Sequence, residues 1–184
     1  MRKQKDIEHG NQLKINIAGY FRNARMINSL LERLDPETTA RVIHLNPAQV
    51  DSVLAIRARI AAGEMVALTA DRTGVNERSV EVSFLGGRAH FPSAPFLLAA
   101  ILHCPVYLVF SLYRDPDTYE LYCEPLEEHC IALPRGRREA ALASYVDRYA
   151  QRLEHYCRMA PYNWFNYYDF WEGNLPGDLA RVRR

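Results

Sequence analysis

Residues 63–110 read GEMVALTADRTGVNERSVEVSFLGGRAHFPSAPFLLAAILHCPVYLVF, and this stretch decides the fold. Residues 65–69 are a short, almost wholly apolar run after Gly63, a pattern typical of a strand buried on both faces of a sheet. Residues 96–103 have the pattern of a buried helix, which Cys104-Pro105 ends before an apolar strand at 106–110. We therefore predict the order strand, charged loop, strand, helix, strand.

Strand and helix patterns alternate before this stretch. Two strands are predicted at 13–19 and 41–45, with a helix at 22–34 between them. A second helix starts at Asn46-Pro47 and presents the apolar face Val50, Val53, Leu54, Ile56 and Ile60.

After the stretch, residues 112–125 predict an antiparallel hairpin that turns at Asp115-Pro116-Asp117. A long amphipathic helix follows at 137–159. The whole pattern predicts one α/β domain over residues 1–184, with a mostly parallel sheet flanked by helices.

Composition excludes several classes of protein. The chain has 23 Lys and Arg against 22 Asp and Glu, so it lacks the positive field of a nucleic-acid binder. Its four cysteines contain no Cys-x-x-Cys pair, which argues against a zinc site or a disulfide framework. No segment approaches the roughly 20 apolar residues that span a bilayer, so we expect this chain to be soluble.

The strongest candidate for chemistry is Asp71-Arg72, which follows the strand predicted at 65–69. In open α/β sheets, ligands bind outside the carboxyl ends of the strands, so an acid and a base at this position favour a site over core packing. A structural ion pair at the sheet edge is the alternative interpretation for Asp71, and likewise for Arg22.

Three segments resemble a known family. They are Gly-x-x-Val-Ala-Leu-x-x-Asp-Arg, Phe-Leu-Gly-Gly-x-Ala-x-Phe-Pro-x-x-Pro-x-Leu-Ala and Cys-Pro-Val, and an aromatic run at 161–171, PYNWFNYYDFW, completes the pattern. Together they resemble the lipid A biosynthesis (lauroyl/myristoyl) acyltransferases of the lysophospholipid acyltransferase-like superfamily, over residues 13–171.

The resemblance implies transfer of a fatty acyl chain from an acyl carrier protein thioester to a hydroxyl of a lipid or glycolipid, without a cofactor or metal. Such proteins work at the cytoplasmic face of the bacterial inner membrane. Position by position, the resemblance makes Asp71 a catalytic acid and Arg22 a substrate-binding residue. Arg72 and Arg88 are weaker substrate-binding candidates, and Arg88 has a plain loop as its alternative interpretation.

The catalytic base that the resemblance requires is a His followed after four residues by Asp or Glu, and none of the six histidines has this spacing. The resemblance places that motif upstream of Met1, so we expect a truncated chain that is inactive alone. His90 or His44, paired in space with Asp71, is an open alternative.

Two other interpretations remain. The aromatic run predicts either one wall of an acyl-chain pocket or a segment packed over the sheet. A non-catalytic module that binds a lipid or a protein partner is the alternative function. Loss of the leading strand and helix would expose a sheet edge, which favours a homodimer.

Overall fold

The computed structural model describes residues 14–19, 41–45, 51–73, 77–115, 117–166 and 170–171. The helix predicted at 22–34 and the candidate Arg22 lie outside these residues. The chain divides into two compact units, Met1–Thr69 and Ala70–Arg184, which are described in turn.

The first unit contains a parallel sheet. Its strands are β1 (Ile15–Gly19), β2 (Val42–His44) and β3 (Met65–Ala67), in the order β2-β1-β3, and helix α1 (Asp51–Ala61) connects β2 to β3 along the chain. These elements confirm the predicted strands at 13–19 and 41–45 and the predicted helix between β2 and β3. The expectation that β3 is buried on both faces is wrong, because Met65 and Ala67 on one face of the strand are exposed.

Polar contacts tie the centre of this sheet to its edge. The buried Asn16 on β1 donates hydrogen bonds to Glu64 Oε2 at 2.9 Å and to the Met65 carbonyl at 3.1 Å. These bonds fix the start of β3 against β1. On α1, Ile56 is buried as the helical pattern predicts, whereas Leu54 is exposed despite its place in that pattern.

The described residues of the second unit form two antiparallel hairpins and two helices. Its elements are β4 (Ser79–Phe84), β5 (Gly87–Pro92), α2 (Ala94–Leu102), β6 (Val106–Tyr113), β7 (Tyr119–Glu127) and α3 (Arg138–Met159), followed by one 3-10 turn (Pro161–Asn163). β4 pairs with β5, and β6 pairs with β7.

The second unit confirms the later hairpin and the long helix, and it corrects the prediction in one place. Arg88 had a plain loop as its alternative interpretation, but it lies on the strand β5, so that interpretation is wrong. The chain is thus mixed α/β. Parallel pairing is found for three of its seven described strands, and the other four strands pair antiparallel.

Helix α3 supplies one side of the core. The side chains that it buries face the inward residues of the hairpins, and rings from the chain end fill the remaining space. Each strand alternates between buried and outward residues, as a sheet with one packed face requires. The inward residues are Val82 and Phe84 on β4, Ala89 and Phe91 on β5, and Leu108, Phe110 and Leu112 on β6.

The turn between β4 and β5 is held by α3. Leu85 has a φ of 49° and Gly86 a φ of 85°, so both are left-handed. The Leu85 amide donates to Glu154 Oε2 at 2.6 Å, and Arg158 donates to Glu154 Oε1. The first of these bonds is the largest cause of a lowered Glu154 pKa, and Arg158 adds to it.

We expect Glu154→Gln to destabilise the protein at neutral pH, by on the order of 1 kcal/mol. Because the folded-state pKa is lowered, the stabilisation by Glu154 is present above the ordinary glutamate pKa of about 4.3 and is lost as the pH falls through the folded value. Urea unfolding at a series of pH values from 7 to 3 measures this pH dependence of the free energy of unfolding. The difference between wild type and Glu154→Gln should shrink below about pH 4.

Glu128→Gln, at an exposed position after β7, is the matched control and should change stability by no more than about 0.5 kcal/mol. A Glu154→Gln difference that is constant across the pH range would contradict the role of the charged carboxylate.

Candidate functional site

Asp71 is the centre of the candidate site. It follows β3 along the chain, and its side chain keeps only 17% of its surface exposed. Trp164 Nε1 donates a hydrogen bond to Asp71 Oδ2 at 3.2 Å. Arg72 Nε lies 3.9 Å from the same oxygen, which is an ion-pair contact rather than a hydrogen bond. The carboxylate is therefore oriented by an indole, with an arginine beside it.

Trp164 is itself fixed by aromatic packing. Its ring meets Phe84 at 5.3 Å and Phe170 at 5.0 Å between centroids, both in edge-to-face geometry. Such pairs contribute about 0.5–1.5 kcal/mol each beyond their buried area. The 3-10 turn at Pro161–Asn163 precedes Trp164, whose ring covers the wholly buried Phe84 of the β4–β5 hairpin together with Phe170 and Trp171. The position of Asp71 thus depends on the aromatic core.

The charge of Asp71 contributes to the raised pKa of two groups on α3. Burial raises the pKa of the Cys157 thiol to about 11, with Asp71 and Glu154 adding to the effect. Burial likewise raises the pKa of the Tyr149 phenol, and the charge of Asp71 again adds to it. Both groups are therefore neutral at physiological pH, which argues against Cys157 as a nucleophile.

The asparagines of the aromatic run differ in their environments. Asn163 Oδ1 accepts a hydrogen bond from the Tyr113 amide, as expected for a side chain that satisfies backbone groups. Asn166 instead buries both polar atoms of its amide, and the described residues offer them no hydrogen-bond partner. Because buried polar groups are almost always paired, this amide has capacity for a ligand or a water molecule.

Arg88 lies on the outward face of the β4–β5 hairpin. Its guanidinium pairs with Glu81, and 79% of its side chain is exposed. Since Ala89 and Phe91 on the same strand point into the core, Arg88 and His90 point away from it. The fold does not bring Arg88 into contact with Asp71, whereas Arg72 adjoins it.

His90 has polar neighbours of its own. Ser79 Oγ lies 3.4 Å from His90 Nδ1, and Glu81 Oε2 lies 3.6 Å from His90 Nε2. The latter distance exceeds that of a hydrogen bond. The carboxylate nearest to His90 is therefore Glu81 rather than Asp71. His44, the other histidine considered as a base, ends β2 in the first unit.

Neither a metal centre nor a membrane span is found in the described ranges. Within them, no cluster of three or more His, Cys, Asp or Glu side chains is arranged to hold a metal ion. The same residues include no helix with the length and apolarity to cross a bilayer.

Sequence reasoning selected Asp71 but missed its indole partner. The indole and the carboxylate are 93 residues apart in the chain, and no local pattern connects them.

Comparison with known proteins adds no relative, because neither the scan of family models nor the search of curated proteins gives a match. The likeness to the acyltransferases stays a prediction from the sequence motifs.

Proposed function

We propose that this chain carries part of an acyltransferase site that binds a fatty acyl thioester of acyl carrier protein and passes the acyl group to a hydroxyl of a membrane lipid or glycolipid. The hydrogen bond between Trp164 and Asp71 is the observation that supports this most directly. It joins the Asp-Arg segment to the aromatic run, the two segments that carry the resemblance. That family would also give the chain a mostly parallel sheet flanked by helices.

The proposed reaction is acyl transfer from the thioester to the acceptor hydroxyl. The hydroxyl oxygen of the acceptor attacks the thioester carbonyl carbon, a C–O bond forms, the C–S bond breaks, and the hydroxyl proton ends on the carrier thiolate. Asp71 orients the acceptor, and Arg72 beside it offers a guanidinium to an anionic headgroup or phosphate. Arg88 would act only as a peripheral contact, given its outward position.

The proton acceptor is the part that this sequence does not supply. The 184 residues contain no His-x4-Asp/Glu motif. In the described part of the second unit, the contact between His90 and Glu81 is too long for a hydrogen bond. We therefore expect the chain to bind the acyl donor and to transfer nothing alone.

Binding and transfer can be tested separately. The chain is titrated with dodecanoyl acyl carrier protein and with the unloaded carrier protein, while the fluorescence of its two tryptophans is followed. We expect tighter binding of the loaded form, and no release of free thiol when a lipid acceptor is added. Equal affinity for both forms would contradict the proposal, and transfer by the chain alone would show that the base is within it.

Asp71 is tested in a longer form of the protein that transfers acyl groups. Asp71→Ala should lower turnover on the order of 100-fold without unfolding the protein. Asp115→Ala, at the exposed hairpin turn, is the matched control. Turnover at the wild-type rate in Asp71→Ala would remove this residue from the site.

The alternative is a non-catalytic module that binds a lipid or a protein partner. One observation favours it. The outward face of the β6–β7 hairpin is uncharged and exposes large apolar side chains, namely Tyr107, Val109, Tyr113, Tyr119 and Leu121. A longer form that binds acyl thioesters and never releases thiol would favour this function over transfer.

A further inference from the structure

The outward face of the β6–β7 hairpin is apolar, although an antiparallel sheet with one packed face usually carries polar side chains on the other. The strand register joins the residues of this face in four cross-strand pairs, and none of them is charged. The pairs are Tyr107 with Pro125, Val109 with Cys123, Ser111 with Leu121 and Tyr113 with Tyr119. The β4–β5 hairpin of the same unit shows the usual pattern, since its outward face carries Glu81, Ser83, Arg88 and His90.

The charged residues of the β6–β7 strands point to the opposite face. Glu120 and Glu124 lie across from the buried Leu112 and Leu108, so they share the face that packs against α3. There Arg152 of α3 donates to Glu124 Oε1 at 2.6 Å. Charge on these strands is therefore paired within the fold, and the outward face carries none.

The outward face is large enough to take part in a protein interface. Tyr107, Val109, Tyr119 and Leu121 keep between 48% and 73% of their surface exposed, and Cys123, opposite Val109, is exposed as well. Because a whole aromatic side chain covers about 150–250 Å², the face presents roughly 600 Å². This is at the upper end for a patch on a monomer, and standard interfaces bury about 800 Å² of each partner. The face and the side chains around it therefore approach the area that a stable dimer needs.

Charge favours a second copy of the chain over a lipid surface as the partner. Residues 106–127 contain one basic residue, Arg114, and five acidic residues, whereas anionic lipid surfaces attract basic segments. In a twofold dimer the same patch of both copies meets, so charges on it would meet like charges. A face without charged residues avoids this repulsion, and its tyrosines are side chains that interfaces favour.

We propose that a second copy of this chain covers the outward face of the β6–β7 hairpin, so that the protein is a twofold dimer. The two central pairs, Val109 with Cys123 and Ser111 with Leu121, form the middle of the contact. The homodimer expected from the sequence would use a strand edge, whereas this dimer uses a sheet face. The inference goes beyond the proposed acyl transfer and does not depend on it.

The test measures the mass of the whole chain in solution by sedimentation velocity, at concentrations of about 1–100 µM. We expect the wild type to have the mass of two chains. Leu121→Glu and Leu121→Lys should each raise the dissociation constant of the dimer on the order of 100-fold, because the dimer would remove either charge from water. Since Leu121 is exposed, both variants should keep the circular dichroism spectrum of the wild type.

Ser83→Glu is the matched control, because it adds a charge to the outward face of the β4–β5 hairpin and should leave the dimer intact. A wild type with the mass of one chain at about 100 µM would overturn the proposal. A dimer that both Leu121 variants leave unchanged would also overturn it, by showing that the copies meet elsewhere.

A lipid surface is the other occupant to test. The chain is floated with vesicles of phosphatidylcholine and phosphatidylglycerol, and we expect it to stay behind. Flotation that Leu121→Glu abolishes and Leu121→Lys retains would assign the face to a lipid surface and overturn the dimer. The proposed acyl transfer stands or falls by its own experiments, since none of these measurements uses an acyl thioester.

Discussion

Phe84→Ala is expected to destabilise the second unit by about 3–5 kcal/mol, the largest loss that we expect from any single substitution in this chain. Phe84 is wholly buried, and it contacts Phe91 at 5.3 Å, Trp164 at 5.3 Å and Phe170 at 5.6 Å between centroids. Truncation would leave a cavity bounded by rings, which relax poorly because each is held by its other contacts. A loss of this size is a large part of the total stability of a domain.

Chemical unfolding followed by far-ultraviolet circular dichroism measures this loss, since the signal of the 22-residue helix α3 reports on the second unit. Tyr162→Ala is the control. That side chain is 91% exposed and should contribute less than about 0.5 kcal/mol. A Phe84→Ala loss below about 1 kcal/mol would show that the aromatic cluster is loosely packed, and would weaken the argument that it orients Asp71.

The sequence predicted those elements whose patterns are local and long. Helix α3 was found because its apolar positions repeat at helical spacing over 22 residues. The β6–β7 hairpin was found because Asp115 and Asp117 flank a proline between two strand-like segments. In both cases the local sequence signals agree with one another, so few alternative secondary structures fit these residues.

The errors arose where the outcome depends on neighbours that local patterns do not specify. β5 is bounded by glycine and proline, which obscured the alternation of buried Ala89 and Phe91 with outward Arg88 and His90. The apolar run at β3 predicted burial on both faces, but Met65 and Ala67 are exposed. Burial of a strand face depends on which elements pack against it, and the composition of the strand does not specify these elements.

The candidate site shows the same contrast between residues that local patterns predict and residues that depend on distant neighbours. Asp71 could be selected from its place after a strand, because that position is favoured for ligands in α/β proteins. Its partner Trp164 could not be selected, since the aromatic run is equally consistent with packing and with a pocket wall. In the structure Trp164 packs against the core ring of Phe84 and also orients the acid, through different atoms of one indole.

Gly87→Ala is expected to cost about 1–3 kcal/mol, because a Cβ at this position would lie 2.4 Å from Trp171 Cδ1. Trp171 covers the start of β5 and donates from Nε1 to the Phe84 carbonyl at 3.0 Å. To accept the methyl group, the indole must leave this position and give up that bond. The same movement would disturb Phe170, which packs against Trp171 at 5.7 Å and against Trp164.

A double-mutant cycle isolates this contact. In a Trp171→Ala background the added methyl meets no indole, so Gly87→Ala should become neutral or slightly stabilising, by up to about 1 kcal/mol.

Gly86→Ala is the control. Gly86 has a φ of 85°, and a Cβ added there would meet no described atom within 4 Å, so its cost of about 1–2 kcal/mol comes from the backbone and should be the same in both backgrounds. Equal costs for Gly87→Ala in both backgrounds would mean that Trp171 does not close over β5.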